Sequence, residues 1–232
     1  MTVTNAGGTG EGEVPGLAPP AGSGESRVRG RRRRLSALGA ALADFGPVAS
    51  AVPDRNRRNA AVALVLRGPV GVADPSVRDC EILVIRRSES PRDPWSGQMA
   101  LPGGSLDEAD DGLLATAIRE THEETGLCLE HRRDALGRLE TARPQGVRQP
   151  VITIWPFVFR AGPDAVARVG SREVASVHWF RVEDLANGSN RGSYVWREGG
   201  LVRAFPCVRL EGRVIWGLTY RILTGFLGVV GR

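Results

Sequence analysis

Glu120, Glu123 and Glu124 fall at i, i+3 and i+4 in the run Arg119-Glu120-Thr121-His122-Glu123-Glu124-Thr125-Gly126-Leu127. On a helix that spacing sets the carboxylates within one turn, on neighbouring positions of one face. Like charges so close repel, and folding alone does not ask for them. A hard divalent cation relieves the repulsion, because magnesium and manganese take oxygen ligands and commonly bridge carboxylates to substrate phosphates. A glutamate-rich helix is more often a plain solvated face, so the flanking residues decide between the readings.

The neighbours supply the elements needed to position such a site. Leu113, Leu114, Ala117 and Ile118 recur at helical spacing, Asp107, Asp110 and Asp111 offer acceptors near a helix N-terminus, and Gly126 stands where a glycine would end the helix. Ahead of them, Pro102-Gly103-Gly104 predicts a turn without side-chain bulk, open enough for its backbone to approach an ion or phosphate.

In this order the segment resembles the Nudix box, G-x(5)-E-x(7)-R-E-U-x-E-E-x-G-U, where U is bulky and apolar. Arg119, Glu120, Glu123, Glu124, Gly126 and Leu127 match it. Thr121 stands at a U position, and the interval from Gly104 to Arg119 is one residue longer than the pattern. Counting forward from Gly104 makes Asp110 the outer carboxylate; counting back from Arg119 makes it Asp111. The resemblance implies an α/β fold, the Nudix α/β/α sandwich around a central mixed sheet, from about Asn59 to the C-terminus. It also implies hydrolysis of a nucleoside diphosphate linked to another group, with Mg2+ or Mn2+ held by Glu120, Glu123, Glu124 and the backbone carbonyl of Gly103. Arg119 would orient a glutamate. With Glu120 and Glu123 it is a catalytic candidate, joined by Glu173, which lies where members of the family can place an extra metal ligand or base.

The segment just upstream is similar to a motif of coenzyme A diphosphatases. Arg87-Ser88, Arg92, Gly97-Gln98 and Leu101-Pro102-Gly103-Gly104 are its counterparts, with one residue inserted between Ser88 and Gly97 and Asp93-Pro94-Trp95 in place of basic and histidine positions. Arg87, Arg92, Trp95, Gln98 and Gly104 are therefore the substrate-binding candidates. Arginines suit phosphates through bidentate charge-assisted bonds, and Trp95 is placed either to stack on a base or to cover the core. The implied substrate is coenzyme A or an acyl-coenzyme A, cleaved to 3′,5′-ADP and a 4′-phosphopantetheine product. ADP-ribose, a dinucleotide or an oxidised nucleotide is the alternative. A nucleotide-sensing regulator with a DNA-binding tail is a third reading, against which the intact REx2EE core argues.

At 232 residues the chain is long enough for one domain with a substantial core and a tail. The expected division is a disordered tail over 1–34, a short helix and linker over 35–58, and a Nudix domain over 59–232. Net charge is +5, of which +4 lies before Asn59, where nine arginines face five acidic residues. Residues 1–34 are rich in Gly, Pro and Ala with few large apolar side chains, a composition that cannot offset the entropy of ordering. The basic run Arg31-Arg32-Arg33-Arg34 lacks interleaved aromatics, so a solvated linker is favoured over a nucleic-acid arm. Neither a membrane-length apolar run nor a signal sequence is expected, and Cys80, Cys128 and Cys207 are too few and too scattered for a disulfide framework. A cytoplasmic protein acting on a small nucleotide follows.

Leu35, Leu38, Leu42 and Phe45 predict a short amphipathic helix. Ala60–Leu66, Ile82–Ile85, Leu136–Leu139, Val151–Phe159 and Val174–Phe180 predict strands, with Pro156 suggesting a bulge or an edge. A short helix over Val182–Ala186 follows. Weaker strands are expected at Tyr194–Trp196 and Ala204–Arg209, then a hairpin turn at Glu211-Gly212 into Val214–Trp216. The last segment carries an apolar stripe of Leu218, Ile222, Leu223, Phe226 and Leu227, suited to core packing or to a homodimer contact. The histidines, His122, His131 and His178, show no metal-binding spacing.

Overall fold

The computed structural model describes residues 32–48, 51–53, 56–91, 95–144, 151–198 and 201–231. The expected tail up to residue 31, the candidate Arg92 and the loop residues Gln145 and Gly146 lie outside them. Strand β1 (Arg58–Arg67) is the spine of a seven-stranded mixed sheet. Its alternation of Ala60, Leu64 and Leu66 on one face with Ala61, Ala63 and Val65 on the other gives it apolar contacts on both sides, as a strand buried between two layers requires.

Along one edge β1 runs parallel to β6 (Ile152–Ala161) from Arg58↔Ile152 to Arg67↔Ala161. Along the other edge it is shared. Its C-terminal end pairs with β2 (Glu81–Arg87) at Leu66↔Ile82, while its N-terminal end pairs with β4 (Gly103–Ser105) at Ala60↔Ser105. Strand β2 diverges from β1 to pair with β3 (Met99–Ala100) and β7 (Val174–Arg181), and β5 (Ala135–Arg138) closes the sheet beyond β6. The divergence leaves a cleft edge at which β4 and the end of β2 face each other.

Pro156 lies in the interior strand β6, where the sequence suggested a bulge or an edge. Its carbonyl accepts from Leu139 N–H at 2.9 Å, so its nitrogen faces the same side, where β5 has already ended at Arg138. Pairing along that side breaks there and resumes only at the Ala142↔Ile154 bridge, so the missing donor sits at an irregularity of the ladder, as the sequence suggested.

Helix α2 (Leu113–Thr125) covers one face of the sheet. Helix α1 (Leu38–Leu42), flanked by short 3₁₀ turns, and helix α5 (Gly217–Val230) cover the other. Packed on α5 lies a second, three-stranded antiparallel sheet of β8 (Arg191–Glu198), β9 (Leu201–Leu210) and β10 (Arg213–Trp216). The sandwich is thus the α/β/α arrangement expected. Short helices α3 (His131–Asp134) and α4 (Val182–Ala186) complete it.

The strands expected at Tyr194–Trp196 and Ala204–Arg209 extend further at both ends and form their own sheet. Glu211 (φ 51°) and Gly212 (φ 73°) make the turn between β9 and β10. Ile222, Leu223 and Phe226 of α5 are buried in the core shared with Leu38 and Leu42, which makes the terminal stripe a core contact. Arg32, Arg33 and Arg34, expected in the disordered tail, instead run beside residues 74–79. Val77 N–H donates to Arg33 O at 2.9 Å, and Arg32 pairs with Asp79 at 3.4 Å.

Candidate functional site

Leu113, Leu114 and Ala117 of α2 pack on Ala61, Ala63, Val65, Phe157 and Phe159. That fixes the rotation of the helix and sends Glu123 to solvent. Thr121, at the position where the box has a bulky apolar residue, is fully buried, and its hydroxyl donates to Ala117 O at 2.6 Å. Satisfied in this way, a threonine packs there without an orphaned polar atom. Gly126 (φ 66°) ends the helix and donates to His122 O at 2.8 Å.

At the other end, no aspartate caps the helix. Gly112 (φ 88°) precedes it. Asp110 has a different task. Arg119 grips it with a fork, Nε to Oδ1 at 2.8 Å and Nη2 to Oδ2 at 2.9 Å. Thr116 Oγ1 and Asp107 N–H also donate to Asp110 Oδ2, at 2.8 and 3.0 Å. The Arg119 guanidinium, with these donors, holds the Asp110 carboxyl down at about 2. Asp110 therefore fills the outer acidic position, and Asp111 is exposed.

So anchored, Arg119 reaches the glutamates, donating from Nη1 to Glu120 at 2.9 Å and to Glu123 at 3.3 Å. Glu120 lies beneath Gly104, where a Cβ would overlap its carboxylate. Burial pushes Glu120 up, with Arg119 opposing the shift. Glu124 is 3% exposed and accepts the Gly103 N–H at 2.9 Å. Burial, reinforced by the charge of Glu120, pushes it from 4.5 to about 7 against the pull of the Gly103 amide and Arg87. Gly103 and Gly104, expected in a turn, instead lie in strand β4 beside β1 and seat two of the three box glutamates; a side chain at Gly103 would collide with Ala61 and Val62 of β1 and one at Gly104 with the Glu120 carboxylate.

Glu173 precedes β7, and its carbonyl accepts from Ser88 N–H at 2.7 Å at the end of β2. It is exposed, yet near enough that its charge raises both Glu120 and Glu124. Arg87 acts on Glu124 from the same end of β2. Gln98 and Trp95 share the turn that follows: Gln98 O accepts from Arg87 N–H at 2.9 Å, and Trp95 O from Gln98 N–H at 3.1 Å. Gly103, Gly104, Arg119, Glu120, Glu123, Glu124, Glu173 and Arg87 therefore meet at the point where β1 and β2 part.

These carboxylates do not form a closed cage. Among the described residues no group of three or more His, Cys, Asp or Glu side chains is gathered tightly enough to hold a metal ion as it stands, because Arg119 occupies the space between Glu120 and Glu123. The donor set still suits a hard cation. It is all oxygen, it is partly buried, and it contains a glutamate whose charge its surroundings disfavour.

The sequence reading missed the docking of residues 165–170. Gly170 N–H donates to Glu124 O at 2.9 Å and Arg168 N–H to Thr125 O at 2.8 Å, both at the end of α2. No periodicity or motif marks these backbone contacts.

A family model for the NUDIX domain matches residues 58–204. The chain belongs to the NUDIX family. Two curated relatives are similar over part of their length. An uncharacterized fission-yeast (Schizosaccharomyces pombe) protein, C14C4.10c, is 30% identical over 155 residues, 62% of this chain and 47% of the relative. The human mitochondrial coenzyme A diphosphatase NUDT8 is 32% identical over 140 residues, 56% of this chain and 54% of the relative. The chain thus spans about half the length of these relatives. The crystal structure of a MutT/nudix family protein from Enterococcus faecalis superposes with a TM-score of 0.53 at 17% identity, over 78% of this chain and 65% of that one, which shows a shared NUDIX fold. No helix among the described residues is long and apolar enough to cross a membrane.

Proposed function

We propose that the protein hydrolyses the diphosphate linkage of a nucleoside diphosphate derivative, with coenzyme A or an acyl-coenzyme A as the substrate. The observation that carries the reaction class is the seating of Glu120 and Glu124 against Gly104 and Gly103, with Arg119 locked between Asp110 and the box glutamates. Glu120, Glu123, Glu124 and the Gly103 carbonyl would hold Mg2+ or Mn2+. Bound there, such an ion supplies Lewis-acid chemistry, offsetting diphosphate charge and making water more acidic.

The chain's own residues do the rest. Arg119, held by Asp110, fixes the Glu120 and Glu123 carboxylates in orientation. Arg87 offers a guanidinium to a phosphate oxygen. Glu173 takes the proton of the attacking water as its oxygen bonds to phosphorus and the bridging P–O bond breaks, the leaving phosphate departing with that oxygen.

Coenzyme A is favoured by the Arg87-Ser88 and Gly97-Gln98 pairs ahead of Leu101-Pro102-Gly103-Gly104, and by the similarity to a relative named as a coenzyme A diphosphatase. We place the reaction in the cytoplasm, although that relative's name assigns it to mitochondria. The test is product analysis with Mg2+ or Mn2+ on coenzyme A, acetyl-coenzyme A, ADP-ribose, NADH and 8-oxo-dGTP, with Glu123→Gln as control. Release of 3′,5′-ADP from coenzyme A that disappears in the variant supports the reading. Preference for another member of the panel rejects the coenzyme A assignment, and no turnover of any rejects the hydrolase.

A further inference from the structure

We propose that residues 165–170 form a brace that sets where Glu173 stands relative to the carboxylates of α2, with Gly170 as its positioning residue. The proposal rests on the reading of Glu173 as part of the site. A helix ends with carbonyls that have no partner within it, and two of those of α2, Glu124 and Thr125, are capped by Gly170 and Arg168 of this segment, at 2.9 and 2.8 Å. The cap is therefore applied at the residue whose side chain bonds Gly103, and the brace and the box share one piece of backbone.

Gly170 fits only as glycine. A Cβ there would stand 3.2 Å from both Glu124 C and Gly126 N and closer still to Glu123 O. These are backbone atoms of a packed helix end, which cannot yield as a flexible side chain does. Any side chain must lift the segment off α2.

The segment is also held at its start and just beyond its end. Arg67 donates from Nη1 to Ala165 O at 2.8 Å while its Nε bonds Glu81 at 2.7 Å and its guanidinium lies 4.1 Å from the centre of the Trp179 ring. Beyond Gly170, Ser171 Oγ accepts from Glu173 N–H at 3.3 Å, and Glu173 O accepts from Ser88 N–H. Only two residues, Ser171 and Arg172, separate the capping glycine from the glutamate, so a displacement at one is passed to the other.

The test is a cycle of Gly170→Ala, Glu173→Gln and the double variant, read as the Mn2+ dissociation constant from EPR titration, with thermal melting to confirm that each folds. The Glu173 carboxylate adds negative charge beside Glu120 and Glu124, and loss of a group that supports a metal site weakens affinity by roughly 10- to 100-fold, so Glu173→Gln and Gly170→Ala should each weaken Mn2+ binding by about tenfold. If Gly170 acts through Glu173, the double variant loses no more than about twofold beyond either single one, a non-additivity that general distortion of α2 does not produce. Unchanged Mn2+ binding in Gly170→Ala, or a loss that adds in full to that of Glu173→Gln, overturns the brace and leaves the site reading intact. If Glu173→Gln alone binds Mn2+ as wild type does, the Glu173 carboxylate does not act on the cation site and the brace falls, while its part as base is left to the turnover assay. Should Gly170→Ala not fold, Arg67→Gln releases Ala165 without touching the helix end. The same cycle with Glu173→Gln then decides, with a smaller loss expected.

Discussion

Glu124 carries a charge that the metal-free fold disfavours, and substituting it should change how stability depends on pH. Burial, with the charge of Glu120 beside it, raises its carboxyl from 4.5 to about 7 even though it accepts one backbone N–H. The native state therefore holds this proton more tightly than the unfolded chain does. The stability associated with it is fully present below about pH 4.5 and is lost as pH rises through about 7. At about 1.4 kcal/mol per pH unit the whole effect is about 3 kcal/mol, of which about 2 kcal/mol falls between about pH 5.5 and about pH 8.5. Glutamine in its place can still accept the Gly103 N–H but cannot ionise. Its amide donors shift absolute stability, so the slope is what reports the charge. Urea unfolding in EDTA should show wild-type protein losing about 2 kcal/mol relative to Glu124→Gln across that interval. His178, which burial holds below its usual value, has the opposite dependence and cancels in the difference. Saturating Mg2+ should restore the wild-type loss and stabilise the variant less, because the variant binds the ion more weakly. A difference that stays flat, or that favours wild type as pH rises, would refute the argument that Glu124 is buried against its charge.

Asp110→Asn should free Arg119 and weaken Mn2+ binding by roughly tenfold or more, whereas Asp111→Asn should leave it unchanged; equal effects in the two would contradict the placement of the outer carboxylate. Gly104→Ala meets only the far end of the Glu120 side chain, so denaturant unfolding should shift by less than about 1 kcal/mol while Mn2+ affinity falls by about tenfold. Burial pushes Cys80 up to about 12 and raises Cys207 also, while Cys128 is exposed. A disulfide-exchange reagent should therefore titrate one thiol in the native protein and three after denaturation.

The parts of the site that sequence makes legible are those with a period. The apolar spacing of Leu113, Leu114 and Ala117 fixes which side of α2 is buried, and the spacing of the glutamates then fixes which side is open. Val182–Ala186 shows its helix for the same reason, and β1, β2 and β7 show as apolar or alternating runs. What stays hidden is set by partners far along the chain. Strand β3 is too short to carry a pattern and β4 is both short and glycine-rich, and β8 and β9 lengthen because each completes the other's ladder. Asp110 and Asp111 are indistinguishable until the reach of Arg119 chooses between them. Gly170, one of 30 glycines in the chain, acquires meaning only from the helix end it touches.

Equilibrium Mn2+ binding, followed by EPR on wild-type protein and on Glu120→Gln, Glu123→Gln and Glu124→Gln, tests most directly whether the helix α2 carboxylates form a cation site. Wild-type protein should bind Mn2+ saturably, with binding weakened by roughly tenfold or more in each variant. Wild-type protein that leaves Mn2+ free in solution, or variants that bind it as tightly as wild type, would contradict it.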